Sequence, residues 1–419
     1  MDWSNPRVFL PGGIASYLLL VRALRYRRRD GWLRDFKRKY GSCDRESLRN
    51  MTVEDAWVIL RDMTELEFPT FFSVSVFFAL LKTYGIPTIS KLLLATGQLS
   101  SDTTASKRVT DTGVLVSEFV INNPDSDRKM DSLARVNYLH ERYRKAGKIT
   151  DEDMLYTLSL FALEPARWTD HHDWRSLTDL ERCSLGVYWR DVGEAMGIPY
   201  DCLEPYRVGL YDDGLAWLKA VDRWSVAYEE NTMVPADSNE KVAYGTIDIL
   251  LFNTPFAWRD FVLRLMSTLL DTRLRAATRI PSPSPIHNLT MSALLTLRRW
   301  AVRYLHLPRP GYLRSRFFEE DADPITGKHH AAQYTAHPWY VRPTLWSRWG
   351  FEAWRTRLWG GVLPGDDGDK YRPDGYRIAE VGPEAQRGKG GAEMEKMRAR
   401  LRERRVAQGG CPLGGLKGR

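Results

Sequence analysis

Three polar residues, Arg108, Thr112 and His140, have the types and the spacing that could build a binding site on paired helices. Arg108 and Thr112 are four residues apart, so on an α-helix their side chains lie on one face. Leu133, Val136 and His140 follow the spacing i, i+3, i+7, which places the imidazole on the apolar stripe of a second helix. Such an imidazole is either a ligand of a metal or haem iron, or a core histidine with hydrogen-bonded nitrogens. The spacing alone leaves both interpretations open.

Other histidines are alternative metal ligands. His171 and His172 stand between Asp170 and Asp173, a composition from which a site of two histidines and one carboxylate for non-haem iron could be built. The competing interpretation is a solvated turn, because adjacent histidines point apart on a helix. The pair His329–His330 lies in a loop-rich segment, where we expect a mobile connection rather than a site.

Several chemistries have no sequence signature in this chain. We find no glycine-rich phosphate loop and no Ser-His-Asp pattern. We also find no cysteine-ligated haem pattern, which argues against a cytochrome P450. The four cysteines form no C-x-x-C pair, so a zinc site or a redox dithiol is not indicated. The net charge of +8 is spread along the chain without a zinc-finger, RRM or homeodomain pattern, so we expect no nucleic-acid partner.

The elements that must position these residues are predicted to be helices. Apolar residues recur at helical spacing along the chain, whereas the alternating runs typical of strands are nearly absent. Thr52 with Asp55 resembles a capping box that begins one helix. Thr150 begins another, which has acidic residues in its first turn and is expected to end at Pro165. The fold class is therefore predicted to be mainly α.

The composition divides the chain into three parts. Residues 1–29 combine an apolar segment with a basic flank, residues 30–363 form a single large multi-helix domain, and residues 364–419 are rich in glycine and charge. We expect this last part to be a loosely packed tail, with a possible helix over residues 392–405.

The N-terminal apolar segment, residues 8–21, is followed at once by arginines. It is shorter than the roughly 20 residues of a membrane-spanning helix, and a cleaved signal peptide would carry its charges before the apolar core. A short membrane anchor, an interfacial segment and a buried helix remain possible. Tryptophans among arginines over residues 339–359 are equally compatible with a helix at a membrane surface and with a packed C-terminal helix.

The sequence resembles the fungal ER-bound oxygenases of the MpaB family and, more distantly, the bacterial latex-clearing rubber oxygenases. The resemblance to the fungal group covers nearly the whole chain and rests on dispersed segments in one order. These segments are EFP at 67–69, TYGIPTISKLLLATGQL at 83–99, RVTDT at 108–112, LH at 139–140, LYTLSLFALEPA at 155–166, WRSLTDLE at 174–181, PTLWSRWG at 343–350 and PGD at 364–366.

The resemblance to latex-clearing proteins implies haem b on a globin-like helical core. It implies His140 as the axial ligand of the iron, and Arg108 and Thr112 as residues of the haem pocket with a catalytic role. Arg108 would then pair with a haem propionate, while Asp111 and Glu118 are the alternative partners within the protein. Asp111 is a departure, because the rubber oxygenases carry a lysine there, so their distal-side chemistry need not transfer.

Apolar pocket walls are expected from residues on three predicted helices. These candidates are Val114, Leu115, Phe119, Leu139, Leu155, Leu158 and Phe161. The second nitrogen of His140 is expected to bond a carbonyl one turn earlier or a carboxylate.

The function implied by the resemblance is oxidative cleavage of a carbon–carbon double bond by dioxygen, in a prenylated or otherwise apolar secondary metabolite. The implied location is the endoplasmic reticulum membrane, contacted through the N-terminal segment. Arginines after that segment favour a cytosolic body, although Asn50 and Asn288 begin glycosylation triplets that only a lumen would use. Two alternatives stay open: a haem enzyme performing another oxidative reaction, and a haem-free, membrane-associated protein that binds a lipid or metabolite.

Overall fold

The computed structural model describes residues 6–98, 102–206 and 213–409, and it confirms the mainly α class. Within these ranges there is no β-strand, only two isolated bridges, Phe318 with Ala331 and His329 with Tyr376. The first nine α-helices are α1 Pro6–Leu24, α2 Arg27–Tyr40, α3 Arg45–Leu48, α4 Val53–Asp62, α5 Pro69–Thr83, α6 Pro87–Ala95, α7 Asp102–Ile121, α8 Asp127–Lys145 and α9 Asp151–His172. The remaining nine are α10 Asp179–Ala195, α11 Gly214–Thr232, α12 Asp237–Leu250, α13 Phe256–Ser267, α14 Thr272–Thr278, α15 Pro285–Tyr304, α16 Leu345–Trp349, α17 Phe351–Leu358 and α18 Gly391–Ala407.

Helix starts follow the local chemistry of the sequence. The Thr52 side chain accepts a hydrogen bond from the backbone N–H of Asp55, whose carboxylate bonds back, so the capping box is confirmed. Thr150 caps α9 through its hydroxyl, which accepts a hydrogen bond from the backbone N–H of Asp153 at 3.0 Å.

The end of α9 was predicted wrongly, because the helix continues through Pro165 to His172. Proline has no backbone N–H, so Pro165 cannot donate to the carbonyl of Phe161 one turn earlier. Burial of the residues around it against α5 then favours a continuous helix over a break.

The main core surrounds α9, which packs against α5, α10 and α11. Aromatic rings fill the spaces between these helices. Trp168 of α9 lies 4.6 Å from Phe78 of α5, and Phe161 of α9 stacks at 5.4 Å on Trp189 of α10, measured between ring centroids. The centre of the domain is therefore a tightly filled aromatic and aliphatic core.

Residues 371–407 are packed rather than loose, contrary to expectation. Tyr371, Tyr376 and Val381 are buried in a second apolar cluster against α7 and α8. Arg135 of α8 is fully buried and donates to three backbone carbonyls of this segment, including that of Val381 at 2.8 Å. Helix α18 then packs along α8. Composition failed here because these buried contacts involve partners far away in sequence. The three-part division of the chain stays a prediction.

Helix α1 lies on the surface, where its Tyr17 hydroxyl donates to the carbonyl of Leu305 just after α15. Apolar side chains of α1, such as Ile14 and Leu19, are exposed. Among the helices that the structure describes, none alone combines the length and apolar composition of a membrane span. The helical segments Val53–Glu67 and Pro69–Thr83 meet that criterion only jointly, across a bend of 106°.

Candidate functional site

Helices α7 and α8 pack against each other and carry all three predicted site residues. Arg108 and Thr112 lie on one face of α7, as their spacing predicted. The guanidinium of Arg108 donates to the Thr112 hydroxyl, and that hydroxyl donates to the backbone carbonyl of Arg108 at 2.9 Å. Thr112 thus bonds one turn back along its helix and also holds the guanidinium in place.

His140 lies on α8 and is partly exposed as a whole, but its Nδ1 is buried and has no hydrogen-bond partner in the part of the chain that is described. The pKa of His140 is lowered to about 4, first because burial penalises the charged form and then because Arg108 and Arg144 are positive. The imidazole is therefore neutral near pH 7, the form that can ligate a metal. The partner expected for its second ring nitrogen is not found.

Asp111 does not pair with Arg108, although it is only three residues away. One carboxylate oxygen of Asp111 accepts from Lys107 at 2.6 Å, and the other accepts from the Tyr340 hydroxyl at 2.7 Å. Burial raises the pKa of Asp111, and the charge of Lys107 offsets part of that rise. Asp111 thus belongs to a buried network on another face of α7.

Glu118 is also committed elsewhere. Its carboxylate is fully buried and accepts two hydrogen bonds from Arg128, at 2.6 and 2.8 Å. The hydroxyl of Tyr376 donates to the same group at 2.6 Å. Over residues 6–98, 102–206 and 213–409, no carboxylate forms an ion pair with Arg108. Its guanidinium keeps hydrogen-bonding capacity that the described protein does not use.

The predicted pocket walls belong to two packed clusters. Leu139 packs against the second apolar cluster, and the other six residues are divided between that cluster and the main core. Val114 and Leu115 belong to that second cluster, whereas Phe119, Leu155, Leu158 and Phe161 belong to the main core.

The other histidines do not form a metal site within the described residues, where no group of three or more potential ligands comes together. His171 lies at the end of α9 and its Nδ1 is 2.7 Å from the carbonyl of Arg167. The expected solvated turn is wrong, since the helix includes both histidines and Asp173 is buried against Arg298 at 3.3 Å. His330 is also buried, so the loop that carries it is packed rather than mobile.

Sequence reasoning missed Lys107 and Tyr340. Tyr340 is 1% exposed and has a backbone φ of 65°, a conformation that non-glycine residues rarely adopt. Its hydroxyl is held by Asp111, so tertiary contacts fix this geometry. The spacing of four between Lys107 and Asp111 was a usable signal for their ion pair. No local signal pointed to Tyr340, which is 229 residues from its partner.

A cavity of about 1100 Å³ lies between α13 and α17. Its wall is mainly apolar and includes Trp258, Phe261 and Phe351, but none of the three predicted site residues. Phe252 and Ala336, which adjoin wall residues in sequence, pack with Ala105 and Val109 of α7. Residues next to the cavity wall in sequence therefore contact α7, whereas no residue of α7 is part of the wall itself.

The likeness to known proteins is extensive. An ER-bound oxygenase mpaB' of Penicillium brevicompactum is 42% identical, over 96% of this chain and 94% of its own length. The chain belongs to the ER-bound oxygenase family. A second ER-bound oxygenase, mpaB of the same species, is 40% identical over 87% of this chain and 85% of its length. The mpaB protein of Penicillium roqueforti is 44% identical over 64% of this chain and 89% of its length.

No family model matches the chain. The pairwise likeness nevertheless confirms the family expected from the dispersed motifs, and this ER-bound oxygenase homologue is an oxygenase by homology.

Proposed function

We propose that this chain is a haem b-dependent oxygenase that cleaves a carbon–carbon double bond of an apolar metabolite at the endoplasmic reticulum membrane. One observation carries the proposal: α7 and α8 bring together an arginine without a carboxylate partner and a neutral imidazole with a buried, unsatisfied nitrogen. Buried polar groups are normally satisfied, so the unpartnered nitrogen of His140 supports a ligand at this place, and the partly exposed Arg108 adds a cation near it.

The donor chemistry of these residues fits a haem. Haem b needs a neutral imidazole for its iron and cations for its propionates. His140 has the required protonation state, since its pKa is lowered to about 4 by burial and by the nearby arginines. Arg108 is a cation whose described surroundings leave it without an acidic partner.

Each residue then has a distinct role. His140 would hold the iron, and Arg108 would bind a propionate through charge-assisted hydrogen bonds. Thr112 acts through Arg108, because its hydroxyl accepts from the guanidinium and thereby orients it. When bound, the haem supplies the dioxygen chemistry of the reaction. Asp111 is excluded as a base near the iron, because its two oxygens are taken by Lys107 and Tyr340.

The location and substrate class follow from the family. The relatives are named ER-bound oxygenases, and we assign the same membrane and an oxygen-dependent reaction to this chain. The arginines that follow the N-terminal apolar segment support a catalytic body on the cytosolic side, by the positive-inside rule. An apolar substrate dissolved in the bilayer suits a protein with a largely apolar cavity.

An optical spectrum of the purified protein, reduced and with carbon monoxide, tests the haem assignment. We expect a Soret band that is lost in His140→Ala and kept in His171→Ala and His172→Ala. Circular dichroism of each variant separates loss of haem from loss of fold. A band that survives in folded His140→Ala, or that disappears in folded His172→Ala, contradicts the assignment.

Analysis of the products tests the reaction itself. Cleavage of a double bond by labelled dioxygen yields two carbonyl fragments that carry the label, whereas hydroxylation leaves the carbon skeleton intact. An intact, hydroxylated product from protein that contains haem would replace cleavage by another oxidative reaction.

A haem-free metabolite-binding protein is a second candidate, favoured by one observation. The large cavity between α13 and α17 has no contribution from Arg108, Thr112 or His140. If the protein remains without a Soret band after haem supplementation, yet binds an apolar dye such as anilinonaphthalene sulfonate in this cavity, the binding function replaces the oxygenase.

A further inference from the structure

The outer face of α15 is apolar and exposed. Ile286, Leu289, Leu297, Trp300 and Tyr304 recur at helical spacing, and each is about half exposed or more, with the two leucines at 67% and 66%. An amphipathic helix normally turns such a stripe towards the core. On α15 it faces away from the described protein.

The opposite face of α15 already fills its place in the fold. Leu295 and Val302 pack against the main core, and Arg298 pairs with buried Asp173 at 3.3 Å. The helix cannot rotate to hide its outer stripe without breaking these contacts. The exposed stripe is therefore a fixed feature of the surface.

The stripe continues onto neighbouring helices. Helix α15 contacts α1 on one side, with its exposed Leu19, and α13 on the other, where Phe256 is 89% exposed and Trp258 59%. Across the cavity, α16 and α17 add exposed Trp346 and Phe351. Together these side chains of α1, α13, α15, α16 and α17 form one apolar surface, which we call the α15 surface.

The charges along this part of the chain are of one sign. Residues 281–318 contain arginines but no aspartate, glutamate or lysine. Of these arginines, Arg303 and Arg309 are exposed beside the aromatic end of α15. Arginine beside tryptophan and tyrosine around an apolar patch is the composition found where proteins meet lipid headgroups. The charge complements an anionic bilayer surface.

The cavity opens within the α15 surface. Trp258 and Phe261 of α13 form one wall, and Phe351 and Trp359 beside α17 form the other. A molecule that leaves the bilayer through this mouth stays in contact with apolar side chains. Phe252, which adjoins Asn253 of the wall, packs against the same small apolar cluster as Val109, which directly follows Arg108 in α7.

We propose that the α15 surface docks on the lipid bilayer and that apolar substrates pass from the bilayer into the cavity through the mouth between α13 and α17. The docking does not depend on haem, whereas the passage of a substrate rests on the proposed function. This surface begins at the N-terminal helix α1 and continues over α15 to α13, α16 and α17, so the membrane contact is broader than the N-terminal segment alone. Direct entry from lipid spares an apolar substrate the cost of full hydration.

Hydrogen exchange of the full chain, with and without vesicles of phosphatidylcholine and phosphatidylserine, tests the docking. Peptides from α13 and α15 should exchange more slowly when vesicles are present, while peptides from α11 should not change. Protection confined to α1 overturns the proposal, because the N-terminal segment would then be the whole contact.

Vesicle flotation of variants gives a second measurement. The double variant Leu289→Glu, Leu297→Glu should partition at least about tenfold more weakly, which corresponds to about 1.4 kcal/mol. Val226→Glu is the matched control, since Val226 is exposed on α11, away from the α15 surface. Helix α11 contacts the start of α9, where Tyr228 bonds Asp153, whereas α15 contacts the other end of α9 through Asp173. Unchanged partitioning of the double variant also overturns the proposal.

Two further readouts separate the possible outcomes. If light scattering shows a dimer that the double variant converts to a monomer, and vesicles give no protection, the α15 surface is an interface between two copies and the lipid proposal fails. The Soret band of the double variant reports the haem independently, so weak membrane binding with an intact band leaves the proposed oxygenase function untouched. Vesicles of phosphatidylcholine alone measure how much the arginines contribute.

Discussion

Two faces of helix α7 treat their charged residues in opposite ways. On one face, Lys107 pairs with Asp111, and Glu118 accepts hydrogen bonds from Arg128 and Tyr376. On the other face Arg108 bonds only the hydroxyl of Thr112 among the described side chains. The first face joins the helix to the C-terminal segment, while the second faces α8 and His140.

The difference distinguishes a structural network from a candidate binding site. A buried charge is tolerated when partners compensate its lost hydration, and the Glu118 network meets this condition within the protein itself. The Arg108 face does not, but Arg108 is only partly buried, so its guanidinium remains open to solvent or to a ligand. A cation without an acidic partner near an imidazole with a buried, unpartnered nitrogen is a reason to expect a ligand.

The largest expected effect comes from breaking the satisfied face. Glu118→Ala leaves Arg128 and Tyr376 without their buried acceptor, and removing one member of such a group costs about 3–5 kcal/mol of unfolding free energy. Chemical denaturation measures the loss. Glu320→Ala is the control, because this half-exposed glutamate pairs only across the surface with Arg61 at 3.3 Å and should cost about 1 kcal/mol or less. Equal losses of unfolding free energy in Glu118→Ala and Glu320→Ala would show that the buried Glu118 network is no more stabilising than a surface ion pair.

Asp111→Asn gives a smaller effect that depends on pH. Burial raises the pKa of Asp111 above its ordinary value of 3.8, so its stabilising contribution is present below that pH and is lost as pH rises through the raised value. The asparagine does not ionise. As pH rises from about 4 towards neutrality, the parent should therefore lose unfolding free energy relative to the variant.

Asp127→Asn should show the opposite trend. Burial opposes ionisation of Asp127, but hydrogen bonds from Arg402 and Arg398 outweigh it and lower the pKa of its carboxyl. The contribution of Asp127 to stability is present above the ordinary pKa of 3.8 and is lost as pH falls through the lowered value. The unfolding free energy of Asp127→Asn should therefore lie furthest below that of the parent at neutral pH. Parallel pH profiles for the two aspartates would contradict both assignments.

On the other face, Arg108→Met should hardly change the stability of the haem-free protein, by less than about 1 kcal/mol, because no ion pair is broken there. Its haem affinity should fall at least about tenfold, since a charge-assisted hydrogen bond to a propionate contributes about 1.5–3 kcal/mol. Haem titration followed by absorbance measures this. Arg108→Lys keeps the charge and should recover part of the affinity, and a large loss of stability in Arg108→Met would identify the arginine as structural.

The smallest effect is expected from Thr112→Val, which keeps the shape of the side chain. It removes the hydrogen bond to the Arg108 carbonyl and the acceptor of the guanidinium, for a loss of about 0.5 kcal/mol in stability. Haem affinity should fall only a few-fold, because the arginine loses its orientation but keeps its charge. A loss as large as that of Arg108→Met would show that Thr112 contacts the ligand itself.

Helical periodicity was sufficient for the local parts of this comparison. The shared face of Arg108 and Thr112, the placement of His140 on a second helix and the capping of α4 by Thr52 all depend on residues within a few turns of one another. The end of α9 at Pro165 was wrong, because packing around the proline overrode the local preference. The pocket walls were assigned to one slot, although long-range packing divides them.

The sequence by itself determined the mainly α class, the family and the pairing of Arg108 with Thr112, because these depend on short-range spacing and on many dispersed identities. Only the tertiary structure decided which carboxylates are already taken, that residues 371–407 pack over α7 and α8, and that α15 turns an apolar stripe outward. The physical reason is the same in each case. Hydrogen-bond satisfaction and burial are properties of groups that meet in space, and Asp111 meets Tyr340 across 229 residues of chain.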